Sequence, residues 1–283
     1  MKIGLCSANV GACTRPDSLA RVAERAEEVG LESFWVSEHL VLADPRVPPS
    51  PMDPELPILE PLMTLAFVAA RTRTLRLGTG VLVLPLRNPV VLAKELATLD
   101  VLSDGRLIVG IGVGYVDREF EAIGVPFDRR GERTDEYLAA MRSIWADAHP
   151  SLDGDFVGFS GVQSRPRPVQ RPHPPVVVGG WSPPALRRAA EHANGWYGWG
   201  LDPETTARIL GQLREEVRRR RRDHALGELE ITITPPGLAY LDVAKRYAAL
   251  GVDRLNLQVR GDMEEDDVVR FVENVAGELV GRV

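Results

Sequence analysis

The amino-acid sequence predicts an α/β fold, a closed (β/α)8 TIM barrel formed by residues 1–283 as a single domain. Three observations carry this. Short β-branched runs alternate with longer helical patterns about eight times; the strand-like runs end in small or polar residues, where a barrel builds its site; and no linker-like stretch divides the chain. An open doubly wound sheet, which alternates in the same way, is the main rival. A length of 283 residues suits one barrel and lets it bury about 75% of the surface its unfolded chain exposes, without disulfides or a structural metal.

"KIGLCS" reads as the first strand, and "PDSLARVAERAEEVG" places apolar residues at helical spacing before stopping at Gly30. The strand "SFWVSEH", the helix "EPLMTLAFVAARTR", the strand "LRLGTGVLVLP", the helix "NPVVLAKELATLDVL" and the strand "RLIVGIGVG" continue the alternation. "DREFEAIG" and "RTDEYLAAMRSIWAD" read as helices, followed by "PPVVVGG", a helix from Pro183, "GWYGWG", a long charged helix, "LEITIT", "YLDVAKRYAALG", "DRLNLQV" and a closing helix from Glu264. Two stretches interrupt the rhythm. A proline-rich loop, "VLADPRVPPSPMDPELPILEP", follows the second strand, and "SLDGDFVGFSGVQSRPRPVQRPHPP" reads as a small hairpin insertion before the fifth. Each is either a cover for a pocket mouth or an ordinary surface loop.

Composition excludes several classes. Hydrophobic content of 44% and charged content of 26% are ordinary for a globular protein, and the net charge of −6 argues against nucleic-acid or anionic-membrane partners. The two cysteines, Cys6 and Cys13, have no metal-ligand spacing and read as free thiols of a reducing cytosol. "MKIGLCS" has no signal-peptide pattern, and no apolar run reaches the roughly 20 residues of a membrane helix. A soluble, cytoplasmic protein is expected. "REEVRRRRRD" reads as a solvated helix face rather than a nucleic-acid patch. His149, His173, His192 and His224 lack paired ligand spacing, so no metal site is expected.

Chemistry concentrates at strand ends. Side chains alternate along "FWVSEHL", so Trp35, Ser37 and His39 share one face and Phe34, Val36 and Glu38 the other. The apolar set belongs against the helices, which leaves Ser37 and His39 facing the barrel mouth. His39 is there a candidate proton donor or acceptor; Glu38 either turns to the same mouth or pairs with a basic neighbour. In the fourth strand Gly110, Gly112 and Gly114 share a face, a bare slot that a flat ligand or another backbone would need. A dinucleotide fingerprint is excluded, because its third glycine is replaced by Tyr115 or Asp117. Gly179 and Gly180 lead into a helix start at Ser182 and Pro183, a turn whose free N–H groups favour phosphate. No nucleophile elbow or P-loop is present, and no lysine stands at a strand end for Schiff-base chemistry.

The blocks "FWVSEHLV", "RLGTGVLVLPLRNPVVLAKELATLDVLSDGRL", "GIGVGYVDREFEAIGVPFDRRGERTDEYL" and "RPHPPVVVGGWSPPALRRAAEHANGWY" resemble the luciferase-like monooxygenase family, within it the actinobacterial F420-dependent oxidoreductases. The resemblance spans most of Phe34 to Tyr197 and holds only in outline beyond. It implies a barrel that binds F420, or alternatively FMN, at its carboxyl-end mouth. It places Glu38 and His39 at the cofactor ring as catalytic residues, with Ser37 beside them. Cofactor contacts are implied for Gly78, Thr79, Gly80, Val81 and Asn88, with a cis peptide at Gly80–Val81 bulging behind the ring. Gly112, Val113, Gly114 and Tyr115 are implied beside the cofactor, and Gly179, Gly180, Trp181 and Ser182 at its phosphate. Two departures stand out: many F420 relatives carry aspartate at the Glu38 position, and the sugar-phosphate dehydrogenase branch has a carboxylate where this chain has Tyr115, which argues against glucose 6-phosphate oxidation.

The resemblance thus implies hydride transfer between a deazaflavin and an unidentified small-molecule substrate. The alternatives are an FMN-dependent monooxygenase served by a reductase, and a non-catalytic flavin-binding protein; a phosphate-dependent lyase or isomerase without a redox cofactor is a further one. A homodimer is expected, with an F420 or flavin reductase as a possible supplier of reduced cofactor.

Overall fold

The computed structural model describes residues 1–220 and 222–283. Among these, eight parallel strands close into a barrel: β1 Lys2–Cys6, β2 Ser33–Val36, β3 Arg76–Thr79, β4 Leu107–Gly112, β5 Val176–Gly179, β6 Gly195–Trp199, β7 Glu230–Thr234 and β8 Arg254–Gln258. Each pairs with the next in sequence, and β8 returns to β1 in the register Lys2 to Arg254 through Cys6 to Gln258. Closure rules out the open doubly wound sheet.

The helices are α1 Pro16–Glu28, α2 Pro61–Arg71, α3 Pro89–Leu102, α4 Asp117–Ile123, α5 Arg130–Ala146, α6 Pro183–His192, α7 Pro203–Arg220, α8 Leu241–Ala249 and α9 Glu265–Leu279. α1 ends as expected. Gly30 adopts φ +82°, its N–H bonds to Glu27 O and that of Leu31 to Ala26 O, so carbonyls of the last turn are satisfied. Outward strand residues such as Phe34, Val36, Leu77, Val109 and Ile111 join the helices in the main core. The inward set is separate: Cys6, Trp35, Ile108, Val177 and Tyr197 pack with one another inside the barrel.

The amino-end floor of the barrel is ionic. Arg254, 1% exposed, donates to both oxygens of Glu32 at 2.8 Å, to Glu230 and to the Thr232 hydroxyl, and its guanidinium lies 5.5 Å from the Trp35 ring. Lys2 closes the cluster on Glu230. Burial opposes ionisation of Glu32 and Glu230, but Arg254 outweighs it and holds both carboxyls below the usual range.

Both insertions are docked. Leu152–Asp153 pairs antiparallel with Gly158–Phe159, the expected hairpin, and the Glu136 carboxylate of α5 accepts the N–H groups of Asp155, Phe156 and Val157. The second half of the proline-rich loop lies across the ends of β1 and β8. There Val10 bridges Ile58, Asn9 binds Leu59 O and Ser37 O, and Leu56 packs where a Cβ on Gly261 would stand.

In the basic stretch of α7, Arg218, Arg219 and Arg220 pair with Glu215, Glu216 or Glu191, as a solvated helix face should; Arg221 lies outside the described residues. No helix among the described residues is long and apolar enough to cross a membrane.

Burial pushes the thiols of Cys6 and Cys13 up to about 12, so the folded protein should not react with a disulfide reagent at pH 8, while urea should release both thiols; rapid native labelling of either would contradict the burial. Arg254→Ala should cost roughly 3 kcal/mol in urea unfolding, because two carboxylates lose their buried cation. Since those carboxyls are depressed in the folded state, their contribution is full above the unfolded value of about 4.3 and disappears as pH falls through the folded value. The variant should therefore lose less stability than the wild type on acidification.

Candidate active site

The carboxyl ends of β2, β3, β4 and β5 hold the candidate site, and its centre is a bulge. After Thr79 the chain passes through Gly80 and Val81, joined by a cis peptide bond as the resemblance implied, and Leu82–Val83 then runs beside Ile111 and Gly112. Thr79 is fully buried. Its hydroxyl donates to Gly110 O and accepts from Gly110 N, both at 2.8 Å, where the regular ladder between β3 and β4 breaks off.

The glycines of β4 do not form an empty slot. A Cβ on Gly110 would stand 1.9 Å from Thr79 O and one on Gly112 2.9 Å from Val81; Gly179 on β5 would also meet Val81, at 3.0 Å. The close backbone is that of the protein itself, and the Val81 side chain occupies the recess. Val81 remains partly exposed, so the bulge itself forms the surface here. Gly78 is likewise covered, by the Trp35 indole, and Thr79 has spent its hydroxyl. Gly78, Thr79 and Gly112 are buried and take part in this packing, and a cofactor contact at these three is what the resemblance alone implies.

Glu38 and His39 diverge. The Glu38 carboxylate, 4% exposed, accepts from Val83 N and, at 2.7 Å, from Arg87 Nε; Arg87 also reaches Glu60, whose other oxygen caps α2 at Met63 N. Of the two fates open to Glu38, pairing with a basic neighbour is the one realised. Burial pushes its carboxyl above the ordinary range, and Arg87 pulls the other way. This chain of ion pairs ties the bulge to the starts of α2 and α3. His39 instead meets Glu119 of α4, with Nδ1 3.2 Å from Oε2, while Leu40 N donates to Oε1 at 3.0 Å. The imidazole stands edge-on to Tyr115, ring centroids 6.1 Å apart. Burial, then the nearby Glu119, hold the Tyr115 phenol above its ordinary value.

Ser37 is held by Asn9, its N–H donating to Asn9 Oδ1 at 3.0 Å. Asn88 caps α3, accepting from Val90 N and Val91 N, so its oxygen is committed to the helix start. Val113, Gly114 and Tyr115 flank the bulge with partial or full exposure. Ser182 stands at the start of α6 as expected but makes no capping bond with its hydroxyl. Gly180, Trp181 and Ser182 are exposed; Pro183 and Pro184 carry no N–H, leaving Trp181, Ser182 and Ala185 as donors of this turn. Below the bulge Tyr197, whose hydroxyl bonds to Thr234 at 2.7 Å, lies 3.1 Å from a Cβ on Gly80.

Arg87, Glu119 and Tyr197 are the residues that sequence reasoning missed. Arg87 and Glu119 lie 49 and 80 residues from their partners, and nothing local marks either one. Tyr197 sits at an inward position of a readable strand, which was the available signal.

The family model for luciferase-like monooxygenases matches residues 1–250. The chain belongs to the luciferase-like monooxygenase family. An uncharacterized protein of Mycobacterium tuberculosis is 34% identical over 271 residues, covering 92% of this chain and 93% of that one. The oxygenase component of a flavin-dependent trigonelline monooxygenase from Acinetobacter baylyi is 30% identical over 203 residues, 71% of this chain and 51% of that protein. Among solved structures, an F420-dependent secondary alcohol dehydrogenase in complex with an F420–acetone adduct superposes with a TM-score of 0.77 at 18% identity, covering 96% and 97% of the two chains, a likeness of fold. Membership makes this luciferase-like chain an enzyme of the oxidoreductase and monooxygenase kind.

Arg87→Ala should strand the buried Glu38 carboxylate and destabilise the chain by about 3 kcal/mol in urea unfolding. A loss under 1 kcal/mol would show that the pair does not brace the bulge.

Proposed function

We propose that this luciferase-like chain is an F420-dependent oxidoreductase acting on a small organic substrate, and that His39 moves the substrate proton. The observation that supports this most directly is the pairing of His39 with a buried carboxylate at the strand end next to the bulge, an arrangement suited to proton transfer. A bound deazaflavin would supply hydride transfer at C5 and would not normally activate oxygen.

The residues fit such a group. Gly80 and the half-covered Val81 would carry one ring face, and Val113, Gly114 and Tyr115 would border it. The Trp181, Ser182 and Ala185 N–H groups and the unspent Ser182 hydroxyl would take a phosphate, aided by the α6 dipole. His39 would hold or deliver a proton at the substrate oxygen. Glu38 would act on the ring only indirectly, by bracing the bulge through Val83 and Arg87.

A second reading, an FMN-dependent monooxygenase fed by a partner reductase, is favoured by the identity shared with the trigonelline oxygenase component. Titrating the apo protein with F420 and FMN side by side separates the two. A preference for F420 of tenfold or more, about 1.4 kcal/mol, is expected. His39→Ala should bind F420 within about threefold of wild type yet lose roughly 100-fold in hydride transfer from a responsive alcohol. Preferential FMN binding with oxygen consumption on FMNH2 would overturn the proposal.

A further inference from the structure

Glu119 is a buried acid with a specific division of labour. It is 1% exposed, and among the described residues no Lys or Arg pairs with it; its ion-pair partner is His39. One oxygen accepts the Leu40 N–H and the other faces His39 Nδ1. A carboxylate accepts at both oxygens, so the imidazole completes the pair by carrying its proton on Nδ1.

We infer that Glu119 is a positioning residue that fixes His39 in the Nδ1–H tautomer, leaving the Nε2 lone pair as the proton acceptor of the free enzyme. This rests on the proposed role of His39 and extends it. The physical logic is that of an acid orienting a catalytic or metal-bound imidazole: the hydrogen bond on one ring nitrogen decides which state the other presents. When Nε2 takes a proton, Glu119 faces an imidazolium and stabilises it at contact distance, inside a site with little water to screen the charge. The bond to Leu40 N holds the chain next to His39, so the same carboxylate sets ring rotation as well as tautomer. Tyr115, edge-on to the ring, restricts it from another side.

Glutamine at this position is the informative change. It has one acceptor oxygen for two donors; if that oxygen stays with Leu40 N, its NH2 group meets Nδ1 and favours the Nε2–H tautomer. A purely structural Glu119 would tolerate glutamine, which keeps the shape and the Leu40 bond.

The test uses the full-length apo protein labelled with 15N-histidine at pH 8, with the His39 signals assigned by their loss in His39→Gln. Wild type should show a pyrrole-like Nδ1 and a pyridine-like Nε2, and Glu119→Gln should shift His39 to Nε2–H or to a mixture. F420 affinity of Glu119→Gln should stay within about threefold while hydride transfer falls at least about tenfold. An Nε2–H wild type, or an unchanged tautomer in a folded Glu119→Gln, would overturn the inference. Should that variant not fold, the wild-type spectrum alone decides. Because the spectra need no cofactor, their outcome is separate from the cofactor titration: failure of one leaves the other standing.

Discussion

The site depends on one packing constraint, the seating of the Val81 side chain against Gly110, Gly112 and Gly179. No larger residue fits at those positions without moving either Val81 or the Thr79 carbonyl. The bulge, the two hydrogen bonds of the Thr79 hydroxyl and the run of Leu82–Val83 beside β4 all follow from that contact. A close-packed interior does not yield by an ångström for one added methyl, so these glycines hold the shape of the mouth.

The barrel divides its charges between its two ends. At the amino end Lys2, Glu32, Glu230 and Arg254 plug the interior with paired charge, and a buried cation there contributes to holding the strands in place. At the carboxyl end the buried acids are assigned singly. Glu38 is neutralised by Arg87 and joined through it to Glu60, so it braces loops; Glu119 has a histidine as its partner, whose charge depends on protonation. The first arrangement is static, and the second is able to change with a proton.

Much of this was legible in the chain. The eight strand–helix units, the stop at Gly30, the hairpin before β5, the inward face of Trp35 and the start of α6 at Ser182 all follow from local pattern and turn chemistry. The glycines of β4 left two readings open, a flat ligand or another backbone. Alternating glycines signal that something approaches closely, and that much holds; the sequence does not say whether the visitor is a ligand or the neighbouring strand, and here it is β3. Gly78 lies under the Trp35 indole and Thr79 bonds to Gly110, contacts that a motif does not specify because it marks a region without saying which members face outward. Glu38 and His39 show the limit best. They are adjacent in sequence, and their partners come from different loops.

By itself, then, the sequence determined the barrel and the placing of a histidine at its carboxyl end, because strand and helix periodicity, caps and turns are encoded within a few residues of one another. Only the tertiary structure decided what fills the recess and which acid serves which neighbour. Those outcomes depend on side chains tens of residues apart meeting at distances near 3 Å, and no local pattern encodes such a meeting.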